Sequence, residues 1–323
     1  MNRNIQLFLI LFFAFTFTFH SKAQVPVILD ADLDSDVDDV GALAMLHTLE
    51  NQQKIKILGV VVTSDDKDAA GCAAAINTYY NRPDIPIGVE KGIALRSFSK
   101  YTKQLATNYP HPLKNGKQPE DATRLYRRLL VNSPDNSVII ISIGHLTNIR
   151  KLLNSKADQI SPLSGKELIQ KKVKIWSCMG GKFPNGKEAN FYRPDPESTQ
   201  IAVKNWPGKV IFSGWEIGNN IITGADYLKH ALDSDHPVSL AYQLFNGYQG
   251  RQSWDQTSIL VALSDKKYWN LSPKGNVIVY EDGSNAWEET PEGSHQYLIE
   301  SIPPTEIAKI IDALMVGIYR PGF

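Results

Sequence analysis

The sequence predicts an α/β fold with a mostly parallel central sheet flanked by helices on both faces. Three observations carry this. Short apolar runs rich in Ile and Val alternate with stretches of helical spacing along the chain, the pattern of strands buried on both faces and joined by helical crossovers. No internal repeat, low-complexity tract or Gly/Ser linker divides the chain. The first apolar run ends directly in an acidic loop, and in such folds ligands gather beyond the carboxyl ends of the strands.

Residues 1–23 read as a secretory signal. Arg3 provides the positive start, Leu7 to Phe19 is apolar except for Thr16 and Thr18, and Ser21-Lys22-Ala23 ends in a small residue before Gln24. The apolar run is shorter than the roughly 20 residues a membrane span needs, so cleavage and export, to a periplasm or beyond, are expected rather than a stable membrane anchor. Residues 24–323 would then form one domain. Val25 to Leu29 is the first strand, Val40 to Leu49 a helix, Ile55 to Val62 the second strand, Ala69 to Tyr80 a helix closed by Asn81-Arg82-Pro83, and Pro86 to Val89 a third strand. Residues 91–118 mix Gly, Pro, Ser, Lys and Asn without a period and read as a long loop. Ala122 to Val131 is helical with a basic cluster at Arg124, Arg127 and Arg128. Ser137 to Ser142 is a strand followed by a helix from about Leu146; Val173 to Ser177 and Val210 to Ser213 are strands with a helix from Pro196 between them.

Composition narrows the function. The 323 residues carry 34 basic and 34 acidic side chains, and loss of the leader with Arg3 and Lys22 leaves 32 basic against 34 acidic. No positive excess is present to displace counterions from a polyanion, so a nucleic-acid partner is not expected. With 2 cysteines the chain is neither a disulfide scaffold nor a Cys-rich zinc module; Cys72, in an Ala-rich helix, and Cys178, at a strand end, read as two separately buried thiols.

The segment Asp30-Ala31-Asp32-Leu33-Asp34-Ser35-Asp36-Val37-Asp38-Asp39 places six carboxylates in ten residues. A helix cap would need one. Six at the end of a buried strand need a cation or many donors to stay charged, and oxygen-only ligands select Ca²⁺ or Mg²⁺. An EF-hand is excluded, since its sixth and twelfth places would be Ser35 and Gly41. A haloacid-dehalogenase-like phosphatase also opens on a strand and Asp-x-Asp, with Asp30 as nucleophile and Asp32 as acid.

The opening strand, the Asp-x-Asp, the closing Asp38-Asp39 and the helix Val40-Gly41-Ala42-Leu43-Ala44 resemble the inosine-uridine preferring nucleoside hydrolase family, in a longer-looped form with Asp34-Ser35-Asp36 before the final acids. Three further motifs keep the family order: Ser142-Ile143-Gly144-His145-Leu146-Thr147-Asn148; Met179-Gly180-Gly181 with Glu188-Ala189-Asn190 and Asp195-Pro196-Glu197; and Ser253-Trp254-Asp255-Gln256-Thr257. The resemblance implies an α/β nucleoside-hydrolase fold and hydrolysis of nucleosides with Ca²⁺ held by Asp32, Asp39, the Ile143 carbonyl and Asp255. Asp32 would also be the general base. Asp38, Glu188 and Asn190 would hold ribose hydroxyls, with Asn185 and Asp66 near the sugar, and Asp30 would orient its neighbours. Trp254, where many members carry His, would stack on a purine. Ala189 replaces a Phe of the family, and Pro194 is an extra residue. The resemblance also implies a homo-oligomer, a dimer or tetramer. Asp34 and Asp36 are expected to be exposed or hydrogen-bonded within the loop, Trp176 and Trp215 to be packing residues, His145 to line the pocket, His47 to be structural, and His111, His230, His236 and His295 to lie at the surface. A non-enzymatic binder of nucleosides or sugars, stabilised by calcium, is the other reading the departures leave open.

Overall fold

The computed structural model describes residues 23–90, 92, 99–263 and 268–318; the expected leader, apart from Ala23, lies outside them. The strands are β1 (Val25–Ala31), β2 (Ile55–Val62), β3 (Ile87–Val89), β4 (Glu120–Asp121), β5 (Val138–Ser142), β6 (Val173–Met179), β7 (Asn185–Lys187), β8 (Val210–Ser213), β9 (Ile222–Thr223), β10 (Arg251–Gln252), β11 (Trp269–Leu271), β12 (Gly275–Val279), β13 (Ser284–Glu289) and β14 (His295–Glu300). One sheet runs β4-β3-β2-β1-β5-β6-β8-β14-β12-β13-β7, with β11 on β14. From β4 to β14 every pairing is parallel; the rest is antiparallel.

Within the central strands successive residues face opposite layers. Val27 and Leu29, Val60 and Val62, and Ile139 and Ile141 join one core with the helices Asp38–Asn51, Ala69–Tyr79, Trp254–Leu263 and Pro304–Met315. Ile28, Val61 and Ile140 join the other, with the helices Ala122–Val131, Thr147–Asn154, Gly165–Lys172 and Pro196–Asn205. This is why the strands read as continuous apolar runs rather than alternating ones. The helix Asp38–Asn51 is buried from Asp38 to Glu50, so it is covered on every side, with its polar residues gathered at its two ends.

One expectation changes. The stretch 91–118 is not one long loop: Thr102–Asn108 forms an α-helix and Pro112–Asn115 a 3-10 turn. Its apolar residues are too few to show a period, yet Tyr101, Thr102 and Leu105 are buried against the main core. The antiparallel strands after residue 268 left no clear signal, because β13 ends in the exposed pair Glu288-Glu289, β14 in the exposed Ile299-Glu300, and both carry mixed faces.

The topology positions the site. β1 lies between β2 and β5. The chain leaves β1 towards β2, β3 and β4, then returns to β5 on the other side. The crevice at this reversal is where doubly wound sheets bind ligands. The acidic loop after β1 and the turn at 143–146 after β5 open into it. Gly144 allows their close approach: a Cβ there would stand 2.7 Å from Thr63 Oγ1 and 3.0 Å from the Asp32 nitrogen. Among the described residues no helix is long and apolar enough to cross a membrane.

Candidate active site

A cleft of about 350 Å³ opens at this crevice, lined by Asp32, Asp36, Asp38, Asp39, Ile143, Glu188, Asn190, Trp254 and Asp255, together with Ser35, Met179, Ala189, Arg193, Trp215 and Arg251. Asp38, Asp39 and Asp255 are buried and each offers a carboxylate oxygen within 4.8 Å of the others. Asp32 lines the cleft beside them. The loop reaches this shape through Leu33, which holds a φ of +49°, a left-handed conformation uncommon away from glycine. Its N–H donates to Asp39 Oδ1 at 3.1 Å.

Burial pushes Asp38 up to about 7 and Asp32, Asp39 and Asp255 well above the ordinary carboxylate range, and the charge of Asp38 raises all three further. Arg251 is the cation that opposes this at Asp38. Several buried carboxylates with so little compensating charge form a donor set that suits a hard divalent cation, which takes oxygen ligands. Glu188 is buried too, and pushed up to about 7. It caps the short helix Ala189–Tyr192: Oε1 accepts from the Asn190 N–H at 2.9 Å and Oε2 from the Gly181 N–H at 3.1 Å. The Asn190 Nδ2 donates to the Ile143 carbonyl at 3.1 Å, so both polar groups face one space.

Of the residues expected at the cleft, all but Asp66, Asn185 and His145 line it. Asp30 is buried, with its two oxygens accepting from Tyr126 Oη at 2.7 Å and Asn148 Nδ2 at 3.1 Å. It supports the end of β1 from beneath and does not line the cleft. A nucleophile at Asp30, which the phosphatase reading requires, would lie outside the cleft. Asp66 accepts from Thr102 Oγ1 at 2.7 Å, and Asn185 is exposed on β7; neither lines the cleft. Asp34 is buried rather than exposed and accepts from Ser64 Oγ at 2.8 Å. Asp36 is partly exposed and bonded to Arg251 at 2.6 Å.

The aromatic side of the cleft adds Trp215, which is not a packing residue alone. Its carbonyl accepts from Trp254 Nε1 at 2.9 Å, and Lys182 Nζ lies 4.5 Å from its ring centre. Trp176 is fully buried, as expected. Gly218 clears the space for Trp254, since a Cβ there would meet the Trp254 Cα at 2.5 Å. His145 is buried, bonded to the Thr63 carbonyl and Thr147, and is not in the lining. His47 is structural, stacked on Tyr80. His111 and His295 are buried rather than at the surface: the Nδ1 of each caps a backbone N–H. Both cysteines are buried and free. Arg193 and Arg251 went unnoticed in the sequence, although Arg251 stands only three residues before Trp254.

No curated protein sequence matches the chain closely enough to count as a relative. Solved structures do. A plant nucleoside hydrolase, PpNRh1, superposes with a TM-score of 0.69 at 16% identity, over 90% of this chain and 99% of that one. The inosine-uridine preferring nucleoside hydrolase from Bacillus anthracis gives 0.69 at 15% identity, over 91% and 100%. An inosine-guanosine nucleoside hydrolase gives 0.68 at 15%, over 90% and 98%. The family model of inosine-uridine preferring nucleoside hydrolases matches residues 27–296. That match spans most of the chain, and the protein belongs to this metal-dependent family of hydrolases acting on N-glycosyl compounds.

Proposed function

We propose that the protein hydrolyses ribonucleosides to free base and ribose with Ca²⁺ as its cofactor, and prefers purines. The observation that carries this is the meeting of Asp38 and Asp39 with Asp255 in one cleft with Glu188 and Asn190. The ligand set is Asp32, Asp39, Asp255 and the Ile143 carbonyl. An ion bound there orients a water and lowers its pKa.

The remaining steps belong to the side chains. Asp32 takes the proton of the water as it attacks C1′. Asp38, Glu188 and Asn190 hold ribose hydroxyls and fix the sugar. The transition state has oxocarbenium character, and the clustered carboxylates favour its positive charge. Trp254, pinned by its bond to the Trp215 carbonyl, offers a flat apolar face to a purine. Asp30 steadies the end of β1. The leader at 1–23 supports secretion, to a periplasm, and the family resemblance supports a dimer or tetramer.

The test is a panel of purine and pyrimidine nucleosides incubated with calcium-loaded protein and scored for free base. Release of hypoxanthine or guanine ahead of uracil, abolished by chelation and restored by Ca²⁺, is expected. Intact nucleosides throughout, with binding retained, would leave a calcium-dependent binder in place of an enzyme.

A further inference from the structure

A departing nucleobase keeps the electron pair of the broken C1′–N bond and needs a donor beside it. Among the described residues that line the cleft there is no histidine, and the cations are Arg193 and Arg251. Arg251 is the one held in place. Its guanidinium lies 4.9 Å from the centre of the Trp254 ring, and its Nη2 donates to Asp36 at 2.6 Å. A guanidinium held by Asp36 and stacked on Trp254, in the wall of the cleft, is a fixed donor beside the place a ligand would occupy.

We propose that Arg251 is a catalytic residue that donates a hydrogen bond to the leaving nucleobase. This rests on the nucleoside-hydrolase reading above. In the step, the water oxygen bonds to C1′, the C1′–N bond breaks, and its electron pair stays on the base. Asp32 takes the water proton, and the base is finally protonated by solvent. Arg251 stays charged throughout, since guanidinium does not ionise in proteins. It lowers the barrier by meeting charge that develops only as the bond breaks.

The test compares two leaving groups. Inosine leaves as a basic purine and depends on the donor. A p-nitrophenyl β-riboside leaves as a stabilised phenolate and does not. In Arg251→Gln, kcat/KM for inosine is expected to fall about 10²-fold and that for the p-nitrophenyl riboside less than about 3-fold. Equal losses on both would make Arg251 a structural partner of Asp36 and Trp254 and overturn the assignment, as would no loss on inosine. If Arg251→Gln does not fold, Arg251→Lys, which keeps the charge beside Asp36, carries the same comparison. A wild-type protein that cleaves neither substrate fails at the earlier reading instead.

Discussion

The backbone N–H of Asp255 donates to the carboxylate of Asp38 at 3.3 Å, across 217 residues of chain. The helices that carry them, Asp38–Asn51 and Trp254–Leu263, touch at Gly41. A Cβ there would stand 2.5 Å from Gln256 Nε2 and 2.7 Å from both Met315 Sδ and Tyr242 Oη. Those atoms are buried and have little room to give way. Gly41→Val should force the helices apart at a cost of about 1–3 kcal/mol, lower the melting temperature by several degrees and weaken nucleoside cleavage. Unchanged melting and activity would show that the pocket does not depend on this contact.

Asp255→Asn tests the cation site by a sign that ordinary core damage would not give. Without a cation, Asp255 is raised by burial and then by Asp38, Asp39 and Asp32, so removing its charge relieves repulsion. The metal-free variant should melt no lower than the metal-free wild type. With Ca²⁺ at a hundredfold excess over its dissociation constant, the wild type gains about 2.7 kcal/mol, seen as a rise in melting temperature. The variant should lose that rise. A variant whose melting temperature responds to Ca²⁺ as fully as the wild type would remove Asp255 from the site.

The acidic loop was legible because six carboxylates after an apolar strand have no other economical explanation, and Asp255 was legible only through the Trp-Asp motif opening a helix. Arg251 was not. A lone arginine in a polar stretch has no pattern, and its meaning comes from the partners the fold supplies, Asp36 on one side and Trp254 on the other. Asp66 shows the converse. Its position in the chain pointed towards the sugar, but its carboxylate is engaged by Thr102, in a helix that the composition of residues 91–118 concealed. Sheet order follows the same logic: β1, β2, β5, β6 and β8 are buried on both faces and declare themselves, whereas β12 and β13 have exposed positions and do not.

Asp32→Asn is expected to keep the fold and lose turnover. The amide preserves shape, but it cannot take a proton from water. Loss of a general base costs about 10²–10⁴-fold. The rate should be measured at saturating Ca²⁺, so that weaker binding of the ion does not stand in for lost chemistry. Full nucleoside cleavage by this variant would dismiss Asp32 as the base.

His295 gives the acid limb of stability. Its Nδ1 accepts the Val277 N–H at 3.0 Å, and its ring meets Phe212 edge-on at 5.4 Å. Burial lowers it from 6.5 to about 4, so the folded protein holds it neutral. The unfolded chain takes up the proton first as pH falls. The stability held by the neutral ring is therefore complete above about pH 6.5 and is lost progressively towards pH 4, by an amount on the order of 3 kcal/mol. His236 and His47 are lowered in the same direction, to about 4 and about 3, and the raised carboxylates act oppositely, so the informative quantity is a difference. His295→Gln can still offer an oxygen to the Val277 N–H but does not titrate. Urea midpoints of wild type and variant should diverge between pH 6.5 and 4, with the wild type falling faster. Parallel profiles across that window would mean that His295 is not the group that acid reaches.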